Sequence, residues 1–244
     1  MSLPKVSCIC PTFCRVYLLE EAIESFLRQD YAGEKELIIC NDFLPQELVY
    51  EHPLVKVINL PERAPNLGAK RNATYEHATG DLLLTWGDDD IHLPGRISRM
   101  VNSLGDKEFL YEGQYYCLYG GVLYWEKSMT SGAHIITKRL FDELGGIPQI
   151  NSGEDQAFNA LVRNKIGLMG VCKEDPQFLY RYSTGRVHAS QFGEDAPNKI
   201  SGYQIVYENA MQYVKSGMEP KGRITLIPKW SKDWVEKVKT AVEK

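Results

Sequence analysis

The chain has 244 residues, of which 43% are hydrophobic and 25% are charged, and its formal net charge at pH 7 is −4. These values are ordinary for a soluble globular protein with a substantial core. No apolar run reaches the roughly 18 residues that a membrane-spanning helix needs, which excludes that class of protein. The first residues lack the pattern of a signal peptide, and the six cysteines form no C-x-x-C pair. We therefore expect a cytoplasmic protein with reduced thiols, and neither a disulfide nor a zinc framework.

Charge is distributed unevenly along the chain. Residues 215–244 contain eight Lys or Arg and four Asp or Glu, a local charge of +4 that leaves −8 on the rest. This tail is either a basic surface for an anionic acceptor or an ordinary helix that packs Trp234 and Val238 on the core. We expect one domain over residues 1–214, with residues 215–244 as a basic extension packed on it.

Strand and helix patterns alternate through the first hundred residues. Short apolar runs predict strands at residues 5–10, 36–40, 55–60 and 81–86. Apolar residues at helical spacing predict helices at residues 17–29, 66–77 and 93–104. This alternation predicts a parallel sheet with right-handed crossovers, covered by helices on both faces.

The second half of the chain has a different texture. Residues 109–125 are dense in aromatic side chains and short strand signals. They either fill an antiparallel extension of the sheet or form a platform on which a planar or sugar ring stacks. Gly145 and Gly146 end a short predicted helix, and residues 155–164 form another.

Three consecutive carboxylates, Asp88, Asp89 and Asp90, follow the predicted strand at residues 81–86. Adjacent carboxylates repel each other, and burial strengthens that repulsion, unless a cation or a hydrogen-bond donor neutralises them. Taken alone, the cluster also fits a solvated acidic turn. In an open α/β sheet, however, ligands bind beyond the carboxyl ends of the strands. Carboxylates at that edge favour a hard divalent cation such as Mg²⁺ or Mn²⁺.

The other predicted strands also end in polar residues. Residues 11–13 follow the first strand, residues 41–42 follow the second, and the loop 65–68 follows the third. Lys70 and Arg71 stand at the head of the next helix, where their charge and the helix amides favour a diphosphate.

Together these motifs resemble family 2 of the nucleotide-sugar glycosyltransferases, which have a GT-A type fold. VSCICPTFCRVYLLEEAIESFLRQDY resembles the opening strand and helix of that family, and ELIICND resembles its second strand. NLGAKRNATYEHATGDLLLTWGDDD resembles its G-x-A-R-N helix and D-x-D strand, and SGEDQAF its E-D helix start. The resemblance implies a Rossmann-like, mostly parallel sheet flanked by helices, with a small antiparallel extension in the second half. The nucleotide-binding half would be about 1–105 and the acceptor half about 106–214.

The resemblance also implies roles for individual residues. The implied contacts with the nucleotide-sugar are Pro11, Thr12, Phe13, Arg15, Asp42, Asn66, Gly68, Lys70, Arg71, Asp88 and Asp89. The implied metal ligands are Asp90, Asp88 and His188. Asp42 would accept a hydrogen bond from the imide of the base. Many members have two acids where this chain has Asn41-Asp42, so the choice between UDP, TDP and GDP stays open.

Glu154 and Asp155 are the implied catalytic residues, with Asp155 as the general base that takes the proton of an acceptor hydroxyl. The alternative is a capping role, because acids are favoured in the first turn of a helix. Attack by the acceptor would invert the anomeric centre, as in the family.

The sequence therefore predicts a transferase that uses Mn²⁺ or Mg²⁺ and a UDP-sugar. The alternative is a non-catalytic module of the same fold that binds a nucleotide-sugar or a glycan. A dinucleotide oxidoreductase is disfavoured because no G-x-G-x-x-G follows any strand. The acceptor stays open between a glycan, a lipid-linked sugar, a protein and a hydroxymethylated base in DNA. Neither the transferred sugar nor the oligomeric state follows from the sequence.

Overall fold

The computed structural model describes residues 2–126, 133–150, 153–181 and 200–242. His188, one of the predicted metal ligands, lies outside these ranges. The described helices are α1 (Val16–Leu27), α2 (Leu67–Tyr75), α3 (Arg96–Leu104), α4 (Lys138–Glu143), α5 (Glu154–Ile166), α6 (Ile200–Lys215) and α7 (Trp234–Val242). The described strands are β1 (Val6–Thr12), β2 (Lys35–Asn41), β3 (Gln46–Val49), β4 (Val55–Asn59), β5 (Leu82–Thr85), β6 (Ile91–His92), β7 (Phe109–Glu112), β8 (Tyr115–Tyr119), β9 (Val122–Glu126), β10 (His134–Thr137), β11 (Gly170–Cys172), β12 (Phe178–Arg181) and β13 (Gly222–Thr225).

Seven strands form the main sheet, in the order β11-β7-β10-β5-β1-β2-β4. β1 pairs in parallel with β2 and β5, β2 pairs in parallel with β4, and β11 pairs in parallel with β7. Only β10 runs antiparallel to its neighbours β5 and β7 within this sheet. The predicted mostly parallel α/β sheet is confirmed.

The register of the parallel strands brings the polar strand ends to one edge. Thr12 lies beside Asn41, and Asn41 lies beside Asn59, so β1, β2 and β4 end together. Thr85 at the end of β5 lies beside Ile9. The loop that carries Asp88 therefore leaves the sheet at the same edge.

Side chains that alternate along the strands fill an apolar layer on each face of the main sheet. Cys8 and Cys10 of β1 point into the layer that contains Ile23 of α1 and Met100 of α3. Ile9 points into the opposite layer, with residues of α4 and α5. All six cysteines are buried, and none of them is in a disulfide. Among the described residues, no helix combines the length and the apolar character needed to cross a membrane.

A second sheet of four strands, in the order β6-β12-β8-β9, adjoins the loop after β5. The aromatic strands β8 and β9 form an antiparallel hairpin in this sheet. The predicted antiparallel extension is thus a separate small sheet rather than a continuation of the main one. A third, two-stranded sheet pairs β13 with β3 in parallel, so the region after residue 215 contributes a strand to the fold.

Several elements were not predicted, and the predicted helix at residues 93–104 begins later than expected. The unpredicted elements are the strands β3, β6, β10, β11, β12 and β13 and the helix α6. α3 begins at Arg96 because the N–H of Leu93 is bonded to the Gln177 carbonyl at 2.9 Å, which holds that residue in the small sheet. A two-residue strand such as β6 has too few residues to show a periodic pattern.

Candidate active site

A buried ion pair joins the end of β2 to the first turn of α2. Lys70 Nζ lies 2.7 Å from Asp42 Oδ1 and donates to the Thr12 carbonyl at 2.5 Å. Asn66 caps α2, because its side-chain oxygen accepts from the Ala69 N–H at 2.8 Å. Lys70 is only 5% exposed. In this structure its ammonium group therefore serves as the counter-ion of Asp42 rather than as a surface group that reaches for a diphosphate.

Aromatic rings and an arginine surround this ion pair. Phe13 and Phe43 meet edge to face with ring centroids 5.0 Å apart, and Tyr207 of α6 lies 6.1 Å from Phe43. The guanidinium of Arg63 lies 5.3 Å from the Phe13 ring and 5.0 Å from the Tyr207 ring. Sequence reasoning missed Arg63 and Tyr207, because no local pattern connects the loop before α2 with a helix more than a hundred residues later.

The loop of residues 87–90, hereafter the acidic loop, is almost fully enclosed. Asp88, Asp89 and Asp90 are 3%, 6% and 6% exposed. Arg15, in the loop before α1, places its Nε 3.3 Å from Asp88 Oδ2 and its Nη1 on Asp89. Burial raises the pKa of Asp88, and Asp89 adds to that effect, although the charge of Arg15 opposes it.

Asp90 is held from two sides. Its Oδ1 accepts the backbone N–H of Arg181 at 3.0 Å, and its Oδ2 lies so close to Gly87 that a Cβ there would overlap it. Burial and the neighbouring Asp89 raise the pKa of Asp90 to about 8. The guanidinium of Arg15 thus pairs with Asp88 and Asp89, whereas the guanidinium of Arg181 pairs with Glu21 and donates to the Asp89 carbonyl.

This donor set fits a hard divalent cation, because carboxyl oxygens are the ligands that Mg²⁺ and Mn²⁺ prefer and a bound cation would favour their ionised form. Across the described ranges, no group of three or more His, Cys, Asp or Glu side chains is arranged around a common metal position. Any cation bound here would therefore take further ligands from water or from a bound diphosphate, as Mg²⁺ commonly does.

The acidic residues at the start of α5 lie in two different environments. Glu154 is 4% exposed and pairs with Arg71 of α2, with Oε1 3.1 Å from the arginine Nε. Burial raises the pKa of Glu154, while Arg71 opposes that shift. Asp155 is half-buried, and its Oδ1 accepts the Gln156 N–H at 2.8 Å.

Close packing of α2 on the chain before α5 brings these two motifs together. The Gly68 N–H is bonded to the Ile150 carbonyl at 3.3 Å, and a Cβ on Gly68 would overlap the Pro148 carbonyl oxygen. Asn72 reinforces the contact, since its Nδ2 donates to the Ile147 carbonyl at 2.8 Å. A glycine is therefore required at residue 68 for α5 to lie beside α2.

The structure thus gathers the predicted site residues at one edge of the main sheet. Those within the described ranges are Pro11, Thr12, Phe13, Arg15, Asp42, Asn66, Gly68, Lys70, Arg71, Asp88, Asp89, Asp90, Glu154 and Asp155. Sequence reasoning did not connect Arg181 or Glu21 with the acidic loop, because each lies far from it in the chain.

Comparison with known proteins places this geometry in a family. The chain is 32% identical over 111 residues to the uncharacterized glycosyltransferase YwdF of Bacillus subtilis (strain 168), covering 44% of this chain and 41% of that protein. It is 30% identical over 142 residues to the putative glycosyltransferase EpsE of the same organism, covering 54% of this chain and 48% of that protein. The chain therefore spans less than half the length of either relative.

Solved structures show the same fold. The crystal structure of S. aureus TarS 1-349 in complex with UDP-GlcNAc superposes with a TM-score of 0.59 and 17% identity, covering 72% of this chain and 58% of that one. The family model described as glycosyl transferase family 2 matches residues 7–166. Since this match covers well over half of the chain, the protein belongs to glycosyl transferase family 2.

Proposed function

We propose that the chain is a metal-dependent, inverting glycosyltransferase that moves a sugar from a UDP-sugar to an acceptor hydroxyl. The observation that carries the proposal is the acidic loop, where three carboxyl groups are enclosed, two of them against the guanidinium of Arg15 and the third against the backbone N–H of Arg181. A divalent cation would offset that charge at the carboxyl edge of a parallel sheet and would take the sugar diphosphate as a further ligand. The names of the relatives support a glycosyltransferase, and the UDP-GlcNAc complex of TarS supports a UDP-sugar as the donor.

Asp88 and Asp90 are the residues that would hold the cation. When bound, the cation would stabilise the negative charge that grows on the leaving diphosphate as the sugar–phosphate bond breaks. We assign Asp42 to the imide of the base, with Lys70 fixing the orientation of its carboxylate. Arg71 is the partly exposed cation at the head of α2, and we assign it to the diphosphate.

We assign the general base to Asp155. An acceptor hydroxyl is a poor nucleophile near neutral pH, and a carboxylate within about 3 Å that takes its proton accelerates the reaction roughly 10²–10⁴-fold. Glu154 is enclosed and paired with Arg71, whereas Asp155 keeps part of its surface exposed. In-line attack on the face of the sugar opposite the diphosphate would invert the anomeric centre.

For the acceptor we propose a glycan. Residues alternate along β8 and β9, so Tyr116, Leu118 and Leu123 pack toward α7 while Tyr119 and Tyr124 face the other way. Tyr119 and Tyr124 are 54% and 44% exposed. Amphipathic aromatic faces of this kind suit a sugar ring, which has both apolar C–H faces and hydroxyl groups. The strand β12 connects this surface to the acidic loop through Arg181.

The test is release of UDP by the purified chain from a panel of UDP-sugars, with Mn²⁺ and with a chelator, in the presence of glycan acceptors. We expect release to require the metal and to be lost in Asp155→Asn. Asp142→Asn, an exposed aspartate on α4, is the matched control and should leave release unchanged.

Release of UDP that persists in the presence of the chelator would refute the proposed metal dependence. Binding of UDP-sugars without any turnover would favour the non-catalytic module instead. Turnover on a lipid-linked sugar, a protein or hydroxymethylated DNA, and on no free glycan, would replace the proposed acceptor.

A further inference from the structure

Residues 226–238, hereafter the C-terminal segment, pack behind the acidic loop. The apolar cluster there consists of Ile91, Leu93, Leu179, Trp234 and Val238. Ile91 directly follows Asp90 in the chain, and Trp234 is only 2% exposed. The segment therefore lies against the residues that support the carboxylates assigned to the metal.

The carboxylate of Glu21 in α1 connects this segment with the site. Its Oε1 accepts the backbone N–H of Ser231 at 2.8 Å and the indole Nε1–H of Trp234 at 3.1 Å. Its Oε2 is ion-paired with the guanidinium of Arg181. One oxygen of Glu21 thus faces the C-terminal segment, while the other holds the arginine at the end of β12.

Arg181 carries the connection onward to the acidic loop. Its backbone N–H donates to Asp90 Oδ1 at 3.0 Å, and its Nε donates to the Asp89 carbonyl. Arg181 is 6% exposed, so water does not readily replace these contacts. Arg181, whose guanidinium is held by Glu21, therefore contacts the backbone of the loop through its Nε and one oxygen of Asp90 through its own backbone N–H.

We propose that the C-terminal segment, through Glu21 and Arg181, positions the acidic loop to receive the metal and the nucleotide diphosphate. Glu21, Arg181 and Trp234 are positioning residues, since none of them is assigned to touch the substrate. The proposal rests on the proposed function, because it takes Asp90 as a metal ligand. Arg181 and Trp234 lie beyond residues 7–166, so the family match does not supply this connection.

The same segment also attaches to α1 at a place that does not involve Arg181. Trp230 donates its indole N–H to Ser25 Oγ at 2.9 Å, and the guanidinium of Arg28 lies 4.4 Å from the Trp230 ring. Trp230 therefore provides a matched control for Trp234. Each tryptophan can be changed to phenylalanine, which keeps an aromatic ring and removes one N–H donor to α1.

The experiment compares Trp234→Phe with Trp230→Phe in the full chain. Three quantities are measured: the affinity for Mn²⁺ in the presence of UDP, by calorimetry; the melting temperature; and the hydrogen exchange of backbone amides at residues 87–91 without ligand. We expect Trp234→Phe to weaken Mn²⁺ binding and to speed exchange in the loop. Trp230→Phe should change neither, even where it lowers the melting temperature equally.

Glu21→Gln should have the larger effect, about a tenfold loss of Mn²⁺ affinity, as is usual when a group that supports a metal ligand is removed. In turnover, this variant should raise the KM for the donor while leaving the KM for the acceptor unchanged. If Glu21→Gln does not fold, Trp234→Phe still decides the question, because it leaves the Glu21–Arg181 ion pair intact.

Equal loop exchange in the two tryptophan variants would overturn the positioning role, whatever the chain binds. Failure of the parent chain to bind Mn²⁺ with UDP would instead refute the proposed function. The exchange comparison needs no ligand, so these two failures are distinguishable.

Discussion

The two acidic motifs of the candidate site differ in how the chain holds them. The acidic loop is enclosed and is contacted by Arg15 and Arg181. Asp155 lies half-buried in the first turn of α5, where its carboxylate accepts a hydrogen bond from the backbone of the next residue. One motif is fixed by residues from distant parts of the chain, and the other is open on one side.

This difference fits the two tasks that we assign to them. A site for a charged diphosphate gains from groups that are already in place, because little reorganisation is then needed on binding. A general base, by contrast, has to be reached by an incoming hydroxyl group. The comparison therefore predicts that changes at Asp155 affect turnover, whereas changes around the acidic loop affect stability or donor binding.

The largest expected effect is that of Asp155→Asn. The amide cannot take the proton of the acceptor, so kcat should fall about 10³-fold, within the range known for general bases. The affinity for Mn²⁺ with UDP, measured by calorimetry, should stay unchanged. A loss of affinity as large as the loss of kcat would place Asp155 on the donor side and remove the distinction between the two motifs.

The second prediction concerns the buried ion pair between Lys70 and Asp42, which lies at the same edge of the sheet as the acidic loop. Lys70→Met leaves the Asp42 carboxylate buried without its counter-ion, so the free energy of unfolding should fall by about 3 kcal/mol. Urea denaturation measures this loss. Lys138→Met, which breaks an exposed ion pair with Asp142, is the control and should cost less than about 1 kcal/mol. Unchanged stability with a large loss of donor affinity would show that Lys70 serves the diphosphate instead.

The third prediction tests how tightly Asp90 is held. In Gly87→Ala, the new Cβ overlaps Asp90 Oδ2 and displaces the carboxylate. We expect about a tenfold loss of Mn²⁺ affinity, comparable to the effect of disturbing the support of a metal ligand. Titration calorimetry of the parent and the variant measures it. Equal affinities would mean that the acidic loop accommodates the new Cβ without loss of metal binding, and that it is held no more firmly than the half-buried start of α5.

The smallest expected effect is a change in the pH dependence of stability. Burial alone would raise the pKa of Glu21, but Arg181 and the hydrogen bonds from Ser231 and Trp234 outweigh it and lower the pKa below the ordinary value of 4.5. A carboxylate with a lowered pKa stabilises the fold above its unfolded value, and this contribution is lost as the pH falls below it.

In Glu21→Gln this contribution is absent at every pH. Between about pH 5 and pH 3 the stability of the variant should therefore fall less steeply than that of the parent. Urea denaturation at a series of pH values measures the two slopes. Identical slopes would mean that the ionisation of Glu21 does not contribute to the pH dependence of stability. The Glu21–Arg181 contact would then be weaker than its burial suggests.

The residues at the carboxyl edge of the sheet can be predicted from the sequence because each is marked by a pattern of neighbouring residues. An apolar run followed at once by Asp88 identifies a buried strand and its carboxyl end in one short stretch. Asn66 before a helical pattern similarly identifies the cap of α2. Such features depend on neighbours in the chain, and the parallel topology then brings them together without further information.

The features that were not predicted from the sequence depend on contacts between residues that lie far apart in the chain. A lysine at the head of a helix is typical of an exposed group, but Lys70 is buried, where it contacts Thr12 at the end of β1 and Asp42 after β2. The contact between Glu21 and Arg181 spans 160 residues, and no local pattern links those two positions. The contacts of Arg63 with the rings of Phe13 and Tyr207 were not predicted for the same reason.

The pairing of β13 with β3, together with the Ser231 and Trp234 contacts to α1, has a consequence during synthesis. Ser231 and Trp234, which donate hydrogen bonds to Glu21, emerge from the ribosome some two hundred residues after α1. Because a nascent chain folds from its N-terminal side, the acidic loop is synthesised early and receives the contacts of the C-terminal segment late. Until those later residues arrive, Glu21 lacks the two donors that share its Oε1, so the acidic loop gains this support only after residues 231–234 have packed onto α1.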